Sequence, residues 1–321
     1  MLLVRGLCKA YFMRVMKLDP RVAEWMQRLQ TPDWRGPVDE MRRRFWQTAH
    51  ALERDAPPLL EVRDLKFPGA DEDLPARLYV PQAAGVSGPG LIFFHGGFFV
   101  LGDLESHDMM CRRLAHDAGM RVIAVAYRLA PEHRFPAAAD DCAAAARYIH
   151  EHAAQFGIDP SRIGVGGDSA GGNLSAVTAQ QARKGGPPLK AQLLIYPSTQ
   201  WVQMTPSQIR LREGYVLTQA VQDFFRDKYL AKHEDRFDVR ASPLLENDLF
   251  GLPPAYIVTG GYDPLRDEGK AYGDKLAACG VDVTWRDYPD QLHGFFNMTA
   301  VSRVAKEAIA DAGKWLAKTL A

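Results

Sequence analysis

One stretch of the sequence, residues 163–177, is IGVGGDSAGGNLSAV. Its apolar start, 163–166, predicts a short buried strand, and the residues after Gly171 predict a helix. Between them lies the pattern G-x-S-x-G, which in this strand, turn and helix context presents the hydroxyl of Ser169 at the top of a sheet. Gly167 and Gly171 let the strand and the helix approach closely. Ser169 is therefore predicted to be a nucleophile at a helix start, where backbone amides favour developing negative charge.

Composition limits the classes of function. A chain of 321 residues suits one large α/β domain with an insertion. Lys plus Arg and Asp plus Glu both number 39, so we expect no nucleic acid partner. The cysteines lack the spacing of a zinc site or a disulfide framework, so we expect free thiols in a reducing, cytoplasmic compartment and neither a metal nor another cofactor. They are Cys8, Cys111, Cys142 and Cys279.

Residues 1–16 are apolar but are interrupted by Arg5, Lys9 and Arg14, and no small-residue cleavage site follows. They fit neither a signal peptide nor a membrane span, so we expect no integral membrane segment. A helix that packs on the body of the protein and one that lies on a membrane surface both stay open, packing being the commoner outcome.

Helix and strand patterns alternate along the chain. Two amphipathic stripes, in 22–29 and 38–52, predict helices before the first strand. Strand patterns follow at 59–67, 76–80, 91–94, 122–126, 163–166, 193–196, 255–259 and 281–288. Further helical patterns lie at 107–118, 136–156, 170–183, 266–279 and 300–320. The alternation predicts an α/β fold with a mostly parallel, eight-stranded sheet that helices cover on both faces.

One connection is too long for a simple loop. Residues 198–246 contain a helical pattern of their own, 218–230, with an aromatic face that includes Phe224, Phe225 and Tyr229. Core packing and a lid over a site are both compatible with this face.

A serine nucleophile needs a histidine base. Of the nine histidines, only His293 follows the last predicted strand, in a loop that leads to the terminal helix. His133 lies in a turn and is expected to be structural. The others named here fall on predicted helices or polar faces, where we expect solvated side chains: His50, His107, His116, His150, His152 and His233.

The base in turn needs a carboxylate. Asp263 follows the strand 255–259 and is expected at the carboxyl edge of the sheet, where sites gather. Asp267 is the nearest rival. It is expected in the first turn of the next helix, where its negative charge would stabilise the helix start instead. Asp287 and Asp290 are further candidates. The order Ser169, Asp263, His293 is the one found in α/β-hydrolases.

Donors for a tetrahedral oxyanion are expected after the strand 91–94. There the run His95-Gly96-Gly97-Phe98 carries two glycines that let the main chain approach the substrate oxygen. The amide of Ala170 is expected to complete the set.

The chain resembles the hormone-sensitive lipase family of α/β-hydrolases, bacterial and related carboxylesterases with an H-G-G-G motif and a G-D-S-A-G turn. The likeness spans nearly the whole chain. It rests on FHGG at 94–97, GDLESHD at 102–108, YRLAPEHRFPA at 127–137, GDSAG at 167–171, DPLRD at 263–267 and HGF at 293–295.

The resemblance implies a division of the chain. In that family the N-terminal helices and the insertion form a cap, so residues 1–55 and 198–246 are expected to contribute to one. Residues 56–197 and 247–321 are then the catalytic domain with the α/β-hydrolase fold.

The resemblance also implies that the amides of Gly97, Phe98 and Ala170 bind the oxyanion. Phe98 departs from the family, which has a glycine there. A backbone donor survives this change, but a ring is added near the substrate. We therefore hypothesise a tight pocket and weak activity on esters of bulky tertiary alcohols.

The expected activity is hydrolysis of short- to medium-chain acyl esters, which are small-molecule substrates, through an acyl-enzyme. Phe98, Phe99, Phe224, Phe225 and Trp201 suggest an apolar, limited pocket. An amidase, a lactonase or a deacetylase stays open, since the triad does not decide the bond cleaved. The histidine base disfavours a binding protein without turnover, as in the plant gibberellin receptors. The lack of an extended apolar lid disfavours hydrolysis of long-chain lipids. The oligomeric state is open, a homodimer being one alternative.

Overall fold

The computed structural model describes residues 17–28, 36–53 and 55–321. The predicted segment 1–16, Cys8 within it and Leu29 lie outside these residues. The described residues contain eight strands: β1 (Glu61–Pro68), β2 (Asp73–Val80), β3 (Gly88–Phe94), β4 (Arg121–Val125), β5 (Ile158–Asp168), β6 (Ala191–Ile195), β7 (Ala255–Tyr262) and β8 (Val283–Leu292).

The strands form one sheet in the order β1-β2-β4-β3-β5-β6-β7-β8. β2 lies antiparallel to both β1 and β4, and the remaining neighbours are parallel. The predicted α/β fold with a mostly parallel eight-stranded sheet is confirmed.

Helices cover both faces of the sheet. They are α1 (Pro20–Arg28), α2 (Val38–Leu52), α3 (Asp108–Ala118), α4 (Ala137–Glu151), α5 (Ala170–Arg183), α6 (Pro206–Arg210), α7 (Gln219–Tyr229), α8 (Arg266–Ala278) and α9 (Ala305–Thr319). One face carries α3 and α9, and the other carries α4, α5 and α8. Within the described residues, we find no helix with the length and apolar character needed to cross a membrane.

Consecutive residues of the central strands enter two separate cores, because side chains alternate across a strand. In β4, Ile123 and Val125 lie in the core beside α4 and α5, whereas Val122 and Ala124 lie in the core beside α3 and α9. A strand buried on both faces needs apolar residues at every position, which is why these strands are continuous apolar runs in the sequence.

Element boundaries differ from the predictions in places. β5 begins well before the predicted start because Ile158 pairs with Gly88 across the sheet. The predicted helix over 136–156 is interrupted, α4 being followed by a separate 3₁₀ turn. α9 begins five residues late, at Ala305, whose amide donates to Ser302 Oγ at 3.1 Å.

The insertion between β6 and β7 is attached to the helix that follows Ser169. Asn173 of α5 is fully buried, and its Nδ2 donates to the carbonyls of Ser198 and Ala241, both at 2.9 Å. One side chain therefore holds the insertion near both of its ends. Within the insertion, α7 buries Phe225 and Tyr229 against the core.

A buried ion pair fixes the segment that follows β4. Asp141 of α4 is fully buried and accepts from Arg128 Nε at 2.8 Å and Nη2 at 2.9 Å. It also accepts from the backbone amides of Arg128 and Ala70. Asp71 contacts the same guanidinium at 2.6 Å, but its side chain is 76% exposed.

We expect Asp141→Ala to lower the free energy of unfolding by about 3–5 kcal/mol, because it leaves a buried guanidinium without its main partner. Asp71→Ala is the matched control, since it removes the exposed partner of the same arginine and should cost below about 1 kcal/mol. Urea denaturation followed by circular dichroism measures both. Equal losses in the two variants would contradict the assignment.

Candidate active site

Ser169 lies in a strained turn between β5 and α5. Its φ of 54° and ψ of −112° are rare for a residue other than glycine. Such strain persists where the surroundings impose it. Here Ser169 N donates to Ile195 O on β6 at 2.8 Å, and Asn173 N donates to Ser169 O at 3.0 Å. The turn is therefore held from both the sheet and the helix.

The turn is packed directly against the end of β3. A Cβ added to Gly167 or Gly171 would overlap the carbonyl oxygen of Phe94, so glycine is required at both positions. Asp168, between the strand and the serine, accepts from Gly96 N at 2.8 Å. The nucleophile and the loop after β3 therefore form one rigid unit.

The structure brings the three predicted residues of the triad together. His293 Nε2 lies 2.9 Å from Ser169 Oγ, and His293 Nδ1 lies 2.8 Å from Asp263 Oδ2. Asp263 is fully buried, and its other oxygen accepts from Leu265 N at 2.8 Å. This geometry lets the imidazole take a proton from the serine while the carboxylate holds its other nitrogen.

The rival acids have other partners. Asp267 accepts from Ser207 N at 2.8 Å, and Asp287 pairs with Arg266 at 2.8 Å. Asp290 hydrogen-bonds its neighbouring glutamine.

The loop after β3 presents backbone donors beside Ser169. Gly97, Phe98 and Phe99 have φ values of 120°, 60° and 63°, and Leu101 N donates to Gly97 O at 2.7 Å to close the turn. Across the described parts of the chain, no oxygen accepts from the amides of Gly97, Phe98 or Ala170. Phe98 and Ala170 line the same pocket as Ser169, and unused amides beside a serine hydroxyl are what a developing oxyanion requires.

His107 departs from the prediction of a solvated side chain. It is 1% exposed, with Nδ1 3.0 Å from Ser106 Oγ and Nε2 3.2 Å from Asp168 Oδ1. Burial alone would raise the pKa of Asp168, but the nearby His107 and the Gly96 amide hold it below its ordinary value. The helical pattern around His107 does not predict this buried contact. The only signal in the sequence is that His107 lies in 102–108, one of the stretches that carry the family resemblance.

His95 supports the same loop. Its ring stacks on Tyr127 with centroids 4.4 Å apart, and its Nδ1 lies 2.8 Å from Gly96 O. Tyr127 Oη donates to His95 O at 2.7 Å. Burial and the nearby His107 lower the pKa of His95 to about 4, so this ring is neutral at pH 7.

A pocket of about 30 Å³ opens in front of Ser169. Phe98, Phe99 and Trp201 line it as expected, whereas Phe225 stacks behind Phe98 with centroids 4.4 Å apart. Most of the surface of the pocket is apolar, as expected, but its lining also includes four polar residues that were not predicted: Ser198, Gln200, Gln208 and Gln222.

Metal ligands are not assembled in the described residues, where no group of three or more His, Cys, Asp or Glu side chains is placed to hold an ion.

Glu53, at the end of α2, is a buried carboxyl near Asp168. It is 5% exposed, and its Oε1 has no hydrogen-bond partner within the described residues. Burial and the neighbouring Asp108 raise its pKa from 4.5 to about 9, against the opposing charge of Arg113. The folded protein therefore holds this proton to a higher pH than the unfolded chain. The stability that Glu53 contributes is fully present below about pH 4.5 and is lost as the pH rises to about 9.

We expect Glu53→Gln, which is neutral at every pH, to become more stable relative to the unchanged protein as the pH rises from about 5 to about 9. Melting temperatures across this range measure the effect. Glu72→Gln, at an exposed residue, is the control and should keep a constant difference. A constant difference for Glu53→Gln as well would show that the carboxyl is already ionised at pH 5.

Known proteins resemble this chain over its catalytic core and beyond. Residues 91–297 match a family model described as the alpha/beta hydrolase fold. The carboxylic ester hydrolase LipN of Mycobacterium tuberculosis is 46% identical over 246 residues, which are 74% of this chain and 65% of that protein. The chain thus spans just under two thirds of LipN. An ethyl acetate hydrolase of Pseudomonas putida is 36% identical over 307 residues, 92% of this chain and 96% of that protein.

A solved structure gives the same picture. The hyperthermophilic esterase from the archaeon Pyrobaculum calidifontis superposes with a TM-score of 0.91 at 37% identity, over 95% of this chain and 100% of that one.

Proposed function

The chain belongs to the α/β-hydrolase fold family, whose named relatives are esterases, and on that premise we propose that it is a carboxylesterase of the hormone-sensitive lipase group. It cleaves short- to medium-chain acyl esters through an acyl-enzyme. One observation carries the proposal: Ser169 Oγ, His293 and the buried Asp263 are joined by contacts of 2.9 and 2.8 Å.

The first half of the reaction forms the acyl-enzyme. His293 Nε2 takes the proton of Ser169 as Oγ attacks the ester carbonyl, and Asp263 stabilises the imidazolium. The carbonyl oxygen becomes an oxyanion beside the amides of Gly97, Phe98 and Ala170. His293 then gives the proton to the departing alcohol as the ester bond breaks.

The second half releases the acid. Water gives a proton to His293 and attacks the acyl carbonyl, and the same amides bind the second oxyanion. When this intermediate collapses, the proton returns to Ser169 Oγ and the carboxylic acid leaves.

The size of the pocket supports a short acyl chain. A volume of about 30 Å³ holds only a few non-hydrogen atoms. Phe98 cannot withdraw freely, because its ring stacks on Phe225 of α7, and Phe99 stacks on Tyr229 with centroids 3.9 Å apart. The name of the Pseudomonas putida relative, an ethyl acetate hydrolase, points the same way.

We also propose that residues 198–246 and the N-terminal helices in 1–55 form a cap over this pocket. α7 supplies the stacked rings just described. α2 contacts the loop after β3, since Arg42 Nε donates to Val100 O at 2.9 Å and its Nη2 to Ala130 O at 3.1 Å. Residues 56–197 and 247–321 are then the catalytic domain.

We expect Ser169→Ala to lower the turnover of p-nitrophenyl butyrate by roughly a million-fold, as the loss of a serine nucleophile does in other triads. Ser161→Ala is the control, because Ser161 lies at the opposite end of β5 and should leave turnover unchanged. Initial rates at saturating substrate measure both. Retention of most activity in Ser169→Ala would remove the triad from the mechanism.

The same assay distinguishes ester from amide hydrolysis and gives the preferred length of the acyl chain. Nitrophenyl acetate, butyrate, octanoate and palmitate are compared with p-nitroacetanilide as an aryl amide. We expect kcat/KM to peak at the short acyl groups. A preference for the amide would replace the esterase proposal with an amidase.

We expect Phe98→Gly to raise kcat/KM for esters of bulky tertiary alcohols by about 10-fold or more relative to primary esters, because it removes a ring beside the reacting carbonyl, where the acyl and alcohol groups meet. Glycine also accepts the φ of 60° at this position without strain. Phe98→Tyr, which keeps a ring, is the control. An unchanged ratio of kcat/KM for tert-butyl acetate over ethyl acetate in Phe98→Gly would contradict the hypothesis that Phe98 restricts the alcohol group.

A further inference from the structure

The lining of the pocket in front of Ser169 is chemically mixed. Beside aromatic rings and two leucines it contains four polar residues, Ser198, Gln200, Gln208 and Gln222, which we call the polar wall. Each of the four is at most 9% exposed. Buried polar groups are normally hydrogen-bonded, so the partners of these four show which of them are free for a substrate.

Two members of the polar wall are already occupied. Gln200 Oε1 accepts from the amides of Val202 and Gln203, at 2.7 and 2.9 Å. Gln208 Oε1 accepts from Thr205 N at 2.8 Å. The side chains of Gln200 and Gln208 are thus held by the protein itself.

The other two members of the polar wall, Ser198 and Gln222, are not occupied in this way. Gln222 Nε2 makes one long bond, 3.4 Å, to Leu217 O, and within the described residues its Oε1 has no partner. Ser198 Oγ likewise contacts no hydrogen-bond partner in the parts of the chain that the structure describes. The pocket therefore contains an unused carboxamide acceptor and an unused hydroxyl, which can both accept and donate.

The polar wall carries no charge at neutral pH. The residue behind it, Glu268, is fully buried and accepts from Thr199 N at 2.7 Å and from Gln208 Nε2 at 3.1 Å. Burial raises its pKa to about 8, against the hydrogen bonds from Thr199 and Gln200 that lower it. A neutral acceptor and a neutral hydroxyl suit an uncharged hydroxyl substituent and give an ammonium or a carboxylate no counter-charge.

The pocket adjoins the reacting carbonyl, because Ser169 and the oxyanion donors Phe98 and Ala170 line it. The departing alcohol must lie beside His293, which protonates it. We therefore assign a substituent that reaches the polar wall to the acyl group.

We infer that this pocket selects hydroxyacyl esters: a hydroxyl near the acyl carbonyl donates to Gln222 Oε1 and accepts from Ser198 Oγ, while the rings hold the carbon chain. The inference rests on the proposed ester hydrolysis at Ser169 and names the acyl class that this site prefers.

The test compares p-nitrophenyl β-hydroxybutyrate with p-nitrophenyl butyrate, and p-nitrophenyl lactate with p-nitrophenyl propionate. The quantity is the ratio of kcat/KM, hydroxy ester over plain ester, in each enzyme. Because the intrinsic reactivity of each ester is the same for every variant, a change in this ratio between variants reports only the protein. Gln222→Met removes the acceptor at nearly constant volume, and Ser198→Ala removes the hydroxyl.

We expect Gln222→Met to lower the ratio about 10-fold for at least one pair, the factor for one lost hydrogen bond, and Ser198→Ala to lower it in the same direction. Gln219→Met, the same change on α7 at a glutamine that bonds Asp223 instead, should leave the ratio unchanged. An unchanged ratio for both pairs in both Gln222→Met and Ser198→Ala overturns the inference. Absence of Ser169-dependent hydrolysis of either plain ester by the unchanged protein overturns the proposed function first.

Discussion

The contact between the end of β3 and the start of α5 sets the geometry of the whole site. The chain passes so close there that Gly167 and Gly171 tolerate no side chain, and Asp168 binds the amide of Gly96 across the gap. β3 and β5 are sheet neighbours, so the loop after β3 and Ser169 share one rigid junction. Two buried histidines complete this junction, His107 beside Asp168 and His95 stacked on Tyr127.

Asp263 and His293 reach Ser169 through the order of the sheet. Asp263 follows β7 and His293 follows β8, and the carboxyl ends of parallel strands meet at one edge. The insertion then adds what the sheet lacks, a boundary for the substrate. Its α7 contributes aromatic rings, and the segment between β6 and α7 contributes most of the polar wall. The lining of the pocket thus draws on two parts of the chain, the loop after β3 with Phe98 and Phe99 and the insertion.

Much of this was predictable from the sequence because it depends on local order. Apolar runs give the strands, and chemistry-bearing residues just after them must meet at one edge, which is how Ser169, Asp263 and His293 could be named. Contacts across the fold were not predictable in this way. His107 begins a helix and gives no sign of its burial beside Asp168. Gln222 and Gln219 lie in the same helix of the insertion, α7. Nothing in the sequence pattern distinguishes the glutamine that lines the pocket from the one that does not.

Asn173 has a consequence for how this protein can change over evolutionary time. By binding the carbonyls of Ser198 and Ala241, it pins the insertion near both of its ends to the helix of the nucleophile. Between those anchors the insertion also touches the loop of Asp263, since Ser207 Oγ donates to Pro264 O at 2.6 Å. Substitutions in that stretch can therefore reshape the pocket freely only where they leave the contact of Ser207 intact.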